Sequence, residues 1–159
     1  MDQEPEHPEL AAGVLRKFRV VFNAVKAHFR EVERRSGIAG AQLWALSVID
    51  AMPDLGINAL AAAMDIHQST ASNLVRALVQ RGFVRVGRDA DDRRVVRLRT
   101  TAAARALLAR APGPFAGVLP QALATLDPAT LSRLNVDLDK LIGAIGADDG
   151  AEGIPLGQD

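Results

Sequence analysis

A run of hydroxyl, amide and guanidinium side chains between residues 66 and 82 is the most distinctive chemical feature of the sequence. Its polar members are Ser69, Thr70, Ser72, Asn73, Arg76 and Gln80. No Asp or Glu occurs from Ile66 to Gly82. A solvated helix gains from mixing Glu with Lys and Arg, whereas a helix that meets phosphate oxygens and base edges must present donors and exclude acids. The composition of this run therefore favours contact with DNA.

The same segment has the periodicity of two helices joined by a tight turn. Behind the polar run, apolar residues recur at i, i+3, i+4 and i+7, at Ala71, Leu74, Val75 and Leu78. This spacing predicts one apolar face on a helix over residues 67–81, preceded by a shorter helix capped by Asn58. Asp65 lies at the turn and tolerates a left-handed backbone better than most residues. The alternative is an ordinary helical hairpin, which has a similar periodicity.

A two-stranded hairpin is predicted after Gly82, because the apolar period changes from 3.6 to 2. Its strands lie in residues 83–86 and 95–100, with a charged tip over 87–94. Asp92 lies two residues before Arg94, close enough to hold its guanidinium toward a narrow minor groove, where the negative potential favours Arg. A hairpin in this position predicts the wing of a winged helix-turn-helix; the alternative is a surface hairpin rich in charge.

The distribution of charge supports a nucleic-acid partner although the net charge is zero, with 19 basic and 19 acidic side chains. Residues 66–101 contain eight Arg and three Asp, 8 − 3 = +5, so the remainder of the chain carries −5. Every cation in this stretch is Arg, which binds phosphate and guanine through a planar, bidentate fork.

The helices outside this region have more apolar surface than one small domain can cover. The helix predicted over residues 9–36 has a seam at Ala11, Leu15, Phe18, Phe22, Val25, Phe29 and Val32. Val14 and Val21 add a second stripe, which predicts packing on its own chain and on a second subunit. Thr101 and the Asp127–Pro128 pair are predicted to start further helices that complete a homodimer.

These elements predict a mainly α fold with a small antiparallel β wing, a winged helix-turn-helix joined to a helical dimerisation region. The predicted organisation is a flexible N-terminal arm over 1–8, a dimerisation helix over 9–36, a winged helix-turn-helix over 37–100, with its wing over about 83–100, C-terminal dimerisation helices over 101–146, and a disordered tail over 147–159. Residues 55–57 are a candidate for a short additional strand.

Several classes of function are disfavoured by composition. Without cysteine the chain has no disulfide or thiolate metal site. Its three His do not suffice for a tetrahedral metal site, and no nucleophilic grouping, Gly-rich phosphate loop or paired buried carboxylates can be assembled. We therefore expect no metal, no cofactor and no enzymatic activity. An acidic N-terminus and an uncharged run over 111–126 that contains three prolines predict a cytoplasmic protein without a membrane span.

The order of parts resembles the MarR family of bacterial transcriptional regulators. The resemblance rests on IAGAQLWAL, on LAAAMDIHQSTASNLVRALVQRGFVRV and on the wing DDRRVVRLRTT. Its most specific signature is Asp-x-Arg in the wing followed by an alternating strand that ends in Leu-Thr, here Asp92, Arg94, Leu98, Thr100 and Thr101. Thr100 stands where the family prefers Leu. Val86 occupies a position where the family often has Arg. The resemblance implies a homodimer that binds double-stranded DNA as a repressor at a pseudo-palindromic operator.

The resemblance also implies site residues. The predicted DNA contacts are Gln68, Ser69, Thr70, Ser72, Asn73, Arg76, Arg85, Arg88, Asp92 and Arg94. Many members of the family release DNA when a small aromatic or phenolic acid binds between the dimer helices and the winged helix. The predicted pocket residues are Arg19, Phe22, Lys26, His28 and Trp44, although Phe22 and Trp44 could equally be packing residues. The alternative function is a winged helix that contacts only other proteins.

Overall fold

The computed structural model describes residues 7–92, 95–147 and 149–157. Within these residues the chain forms helices and two strands in the order α1 (His7–Ser36), α2 (Gly40–Ala51), α3 (Ile57–Met64), α4 (Gln68–Gln80), β1 (Val84–Arg88), β2 (Val96–Thr100), α5 (Ala102–Arg110), α6 (Val118–Leu123), α7 (Pro128–Ile145) and a 3₁₀ helix (Asp149–Gly153). The predicted fold class, mainly α with a small antiparallel β wing, is confirmed.

The core lies between α2, α3, α4 and the two strands. The apolar face predicted for α4 is confirmed, since Ala71, Leu74, Val75 and Leu78 are all buried. They pack in one cluster with apolar side chains from α2, α3 and β2, among them Leu46, Leu60 and Leu98. This cluster holds the recognition helix by one face and leaves its opposite face outward.

The turn between α3 and α4 has the predicted left-handed residue, because Asp65 has φ 53° and ψ 49°. The predicted cap at Asn58 is wrong. The helix begins at Ile57, one residue earlier, because Gly56 is the extended N-cap and its carbonyl accepts the Leu60 N–H at 3.0 Å. The short strand considered for residues 55–57 is replaced by a loop and the start of α3, although the Leu55 carbonyl still accepts the backbone N–H of β2 from Leu98 at 3.0 Å.

The wing is an antiparallel pair in which Val84 faces Thr100, Arg85 faces Arg99 and Val86 faces Leu98. Because successive side chains of a strand point to opposite faces, the buried Val84 and Leu98 lie inward while Arg85 and Arg99 lie outward. The predicted alternation of the returning strand is confirmed.

Helices α1 and α7 leave long apolar stripes uncovered in the single chain. In the first half of α1, Leu10, Val14 and Leu15 are about half exposed, at 53%, 51% and 50%. No residue of α7 is buried. Its predicted ends are nevertheless confirmed, because the Asp127 carboxylate accepts the Thr130 N–H at 2.9 Å and Gly146 closes the helix with φ 68°.

Disorder was predicted for residues 147–159, of which 148, 158 and 159 lie outside the described residues; residues 149–157 differ from that prediction. Asp149–Gly153 forms a 3₁₀ helix, and the residues that follow pack on the start of α2 and on α1. The physical reason is the absence of side chains at two positions. A Cβ at Gly153 would lie 2.1 Å from the His67 ring, and a Cβ at Gly157 would lie 2.6 Å from the Phe29 ring.

Within the described parts of the chain, no helix combines the length and the apolar character needed to cross a membrane.

Candidate nucleic-acid interface

The outward face of α4 carries most of the polar residues singled out in the sequence. Gln68, Ser69, Asn73 and Arg76 are exposed and Ser72 is half-buried, so the fold places these five on one accessible surface. The whole helix lacks carboxylates. This surface can donate and accept hydrogen bonds without repelling an anion.

Thr70 is a correction to that set. It is only 9% exposed, and it lies one turn before Leu74, on the apolar face of the helix. Residues four apart on a helix share a face, so the spacing that buries Leu74 also turns Thr70 inward. Its β-branched side chain therefore lies beside the core, and in this structure it is not available to a partner.

Asn73 and Arg76 form a pair on the exposed face. The Arg76 Nη1 donates to the Asn73 Oδ1 at 3.0 Å, across one turn of α4. This contact holds the flexible guanidinium along the helix, which lowers the entropy lost when it binds an anion. Sequence spacing alone did not identify the pair.

Two of the arginines in the wing are neutralised by carboxylates. Arg99 donates to both carboxylate oxygens of Asp54, from Nε at 2.5 Å and from Nη2 at 2.6 Å. Arg97 donates from Nε to Asp89 at 3.0 Å and makes a second, shorter contact through Nη2. These hydrogen bonds hold the pKa of Asp54 and the pKa of Asp89 below the usual aspartate value.

The arginines of β1 differ from those of β2. Arg85 and Arg88 are exposed, and among residues 7–92, 95–147 and 149–157 neither has a carboxylate partner. Arg85 faces Arg99 directly across the pair, an arrangement that would be unfavourable without the Asp54 carboxylate. Among the described strand residues of the wing, the arginines without a carboxylate partner are therefore Arg85 and Arg88, two of the residues predicted to contact DNA.

The tip of the wing is described in part. The Asp92 carbonyl accepts the Val95 N–H at 3.0 Å. Arg94 lies outside the described residues, so its predicted orientation by Asp92 stays a prediction. The contact between Asp89 and Arg97 was not predicted from the sequence. In the antiparallel register Arg97 is opposite Gly87 and Asp89 bonds to Val95, so Asp89 and Arg97 are diagonal neighbours across the hairpin.

The predicted pocket residues are divided between two hollows that share Phe29. Trp44 lines the hollow between α2, α6 and the C-terminal segment. Phe22 and Lys26 line the second, between α1 and the start of α2. The second hollow also contains Arg30, a cation that the sequence analysis did not single out.

Two of the predicted pocket residues lie elsewhere. Arg19 lines neither of these two hollows. The His28 ring is engaged by the Pro114 carbonyl at 3.1 Å, because the helix turns this side chain toward the loop before α6. Phe29, assigned in the sequence to the dimer seam, lines both hollows, as do Val25 and Leu156.

Backbone at three glycines lies close to the Phe29 ring. The ring lies where side chains would otherwise stand at Gly40, Gly117 and Gly157, since a Cβ at these positions would be 2.2, 3.1 and 2.6 Å from the ring. The three glycines lie far apart along the chain, so the sequence alone did not predict that they meet around Phe29.

In the residues that the structure describes, no group of three or more His, Asp or Glu side chains could hold a metal ion.

The model of the MarR family matches residues 36–95, from the end of α1 to the start of β2. No curated protein matches the sequence. Among solved structures, a MepR-like protein complexed with pseudoligands has a TM-score of 0.56 at 19% identity, covering 89% of this chain and 97% of that one. A mutant MarR from E. coli complexed with operator DNA has a TM-score of 0.54 at 15% identity, covering 82% and 96%. The YusO protein from Bacillus subtilis has a TM-score of 0.53 at 18% identity, covering 88% and 99%.

The structural similarities extend over most of the chain, and the sequence match covers the part that contains α2, α3, α4 and the first strand of the wing. The resemblance inferred from the motifs is thereby confirmed. The winged helix-turn-helix region of this chain is similar in sequence to the MarR family.

Proposed function

We propose that this chain is a DNA-binding transcriptional regulator that acts as a homodimer at a pseudo-palindromic operator. The observation that carries the proposal is the exposed, acid-free face of α4, which is held in place by a buried apolar face. The wing adds Arg85 and Arg88, which have no carboxylate partner among the described residues. The family match and the likeness to a MarR mutant complexed with operator DNA support it.

In this proposal the start of α4 enters the major groove. Gln68 and Ser69 lie in its first turn and can hydrogen-bond base edges. Asn73 has the amide that pairs with adenine, and its contact with Arg76 leaves further guanidinium donors for phosphate. Asp92 orients Arg94 toward the adjacent minor groove, where the potential favours a cation.

The uncovered stripes of α1 and α7 support the homodimer. A second copy of the chain would remove these apolar side chains from water, which favours association. A two-fold dimer presents two copies of α4 to half-sites about one helical turn of DNA apart. The proposed operator is therefore a pseudo-palindrome.

The hollow beside Phe22, Lys26 and Phe29 supports an effector site. It combines aromatic and aliphatic walls with the ammonium of Lys26 and the guanidinium of Arg30, the chemistry that a small aromatic or phenolic acid requires. A ligand that favours a non-binding dimer geometry would act as an inducer of a repressor. A hundredfold loss of DNA affinity needs a coupling free energy of about 2.7 kcal/mol.

The DNA proposal is tested by selecting duplexes from a random-sequence pool with the purified chain and measuring their affinity by fluorescence anisotropy. We expect enrichment of a two-fold-symmetric sequence. Asn73→Ala should reduce discrimination at one base pair in each half-site, whereas Asn23→Ala, at an exposed asparagine of α1, should not. A pool that is not enriched after repeated rounds at low salt would refute the proposal and favour a protein-contact module.

The effector proposal is tested by thermal shift with benzoate-like acids. A ligand that binds the native dimer raises its melting temperature by mass action. Lys26→Gln should reduce the shift, and Lys17→Gln, at an exposed lysine of the same helix that lines neither hollow, should retain it. Equal shifts from both variants would contradict the assignment of Lys26.

A further inference from the structure

The C-terminal strap, residues 149–157, is attached to the residue that precedes the recognition helix. The backbone N–H of His67 donates to the Gly153 carbonyl at 3.1 Å. The Nε2 atom of the same His67 lies 3.0 Å from the Gly150 carbonyl, in hydrogen-bonding geometry. His67 is the N-cap of α4, so two polar contacts connect the strap to the start of the helix.

The strap has a second attachment at the start of α2. The Gly157 carbonyl accepts the Ala41 N–H at 3.3 Å, and this N–H lies in the first turn of α2, where backbone donors have no partner within the helix. Gly153 and Pro155 are buried between the two attachments. The strap is therefore attached at both ends, near Gly153 to the start of α4 and at Gly157 to the start of α2.

The close fit depends on glycine at two positions. At Gly153 a side chain would collide with the His67 ring, and at Gly157, which also has a φ of 82°, a side chain would collide with the Phe29 ring. Small substitutions at these two positions would therefore displace the strap without altering any residue assigned to DNA.

The strap brings negative charge to the start of α4. Residues 149–157 contain two acidic residues, Asp149 and Glu152, and no Lys or Arg. Glu152 lines a shallow hollow together with Asp65 and His67. Charges within about 8 Å are only partly screened at physiological ionic strength. The docked strap therefore sets carboxylate charge beside the positive end of a helix that otherwise excludes acids.

We propose that the C-terminal strap is an autoinhibitory segment that competes with DNA at the start of the recognition helix. This inference rests on the proposed function, because it needs α4 to enter the groove by its N-terminal turn. Carboxylates beside His67 repel the phosphates that approach Gln68 and Ser69. Binding of a duplex and docking of the strap then exclude each other. The fraction of molecules with an undocked strap therefore sets the apparent affinity for DNA.

The size of the effect follows from the population of the docked state. If the strap is docked in nine of ten molecules, displacing it lowers the apparent Kd for DNA about tenfold. The variant Gly153→Ala/Gly157→Ala in the full chain tests this, and Ile154→Ala, at a strap residue whose side chain is 55% exposed, is the matched control.

Two quantities are measured for each protein, the affinity for DNA by fluorescence anisotropy and the hydrogen exchange of the His67 amide and residues 149–157. The duplex is one enriched by the native chain or, if none is enriched, a non-specific duplex at low salt. We expect the double variant to lose protection at the strap and to bind DNA about tenfold more tightly. The Ile154→Ala protein should match the native chain in both respects.

Three outcomes would overturn the inference. Unchanged protection in the double variant would show that the strap does not depend on these glycines. Lost protection with an unchanged or weaker affinity would show that the strap does not oppose DNA, and the proposed function would stand because the native chain still binds. Absence of binding by both the native and the double-variant chains would refute the strap and the proposed function together.

Discussion

Replacing Arg85 by alanine tests whether the unpaired cations of β1 reach DNA phosphates. Arg85 is exposed, faces Arg99 across the wing and has no carboxylate partner among the described residues. If its guanidinium neutralises a phosphate in the complex, its removal lowers the number of counterions released on binding. The affinity should then depend less steeply on salt.

The magnitude follows from the number of copies. The logarithm of the association constant falls with the logarithm of the salt concentration by about 0.9 for each phosphate neutralised on duplex DNA. A dimer presents Arg85 twice, so Arg85→Ala should make the slope shallower by about 1.8. Arg97, which is paired with Asp89, does not enter this count.

The assay is fluorescence anisotropy with one duplex over a series of salt concentrations. The control is Lys140→Ala, which removes an exposed cation of α7 that is paired with Asp137 at 3.0 Å. Its slope should equal that of the native chain. A slope unchanged by Arg85→Ala would refute the contact of β1 with the phosphate backbone. An equally shallower slope for both variants would show that the slope reports the net charge of the protein and not a contact of Arg85.

Three further predictions concern the frame of the site. Leu98→Ala should lower the free energy of unfolding, measured in urea, by about 2–5 kcal/mol because Leu98 is fully buried. Val86→Ala, at its cross-strand neighbour, should lower it by less than about 1 kcal/mol because Val86 is 46% exposed. Equal losses from the two variants would contradict the packing described for the wing. The hydrogen bond from Arg97 lowers the pKa of Asp89 in the folded chain, so the unfolded chain binds more protons at acidic pH. The stability contributed by this pair is therefore present above the usual aspartate pKa and lost as the pH falls through the folded pKa. The difference in the free energy of unfolding between Asp89→Asn and the native chain should disappear in acid. Leu138→Glu, at a 40% exposed position of α7, should convert the proposed dimer to monomers in sedimentation experiments, and an unchanged mass would place the interface elsewhere.

Local pattern was sufficient for the elements that present the site. The four buried positions of α4 recur with helical spacing, and the strands of the wing alternate with period two, so each face could be assigned before any tertiary contact was known. The caps at Thr101 and Asp127 followed in the same way, because a capping side chain bonds within its own first turn.

The pairing of charges was decided by the tertiary structure. Asp54 and Arg99 are 45 residues apart, and they meet because the loop before α3 pairs with the backbone of β2. The sequence counted Arg99 among the cations of a basic surface, whereas the fold makes it part of a structural ion pair. A charge run cannot distinguish these roles, since the partner comes from another element.

The sequence by itself determined which residues form the recognition helix and the wing and which face of each is polar, because periodicity and capping are properties of neighbouring residues. Only the tertiary structure decided that Arg99 is paired with Asp54 and that the C-terminal strap reaches His67. These facts depend on the close approach of segments distant in the chain, and for the strap on the absence of a side chain at Gly153. This proximity results from tertiary packing, which cannot be predicted from the spacing of residues within one element.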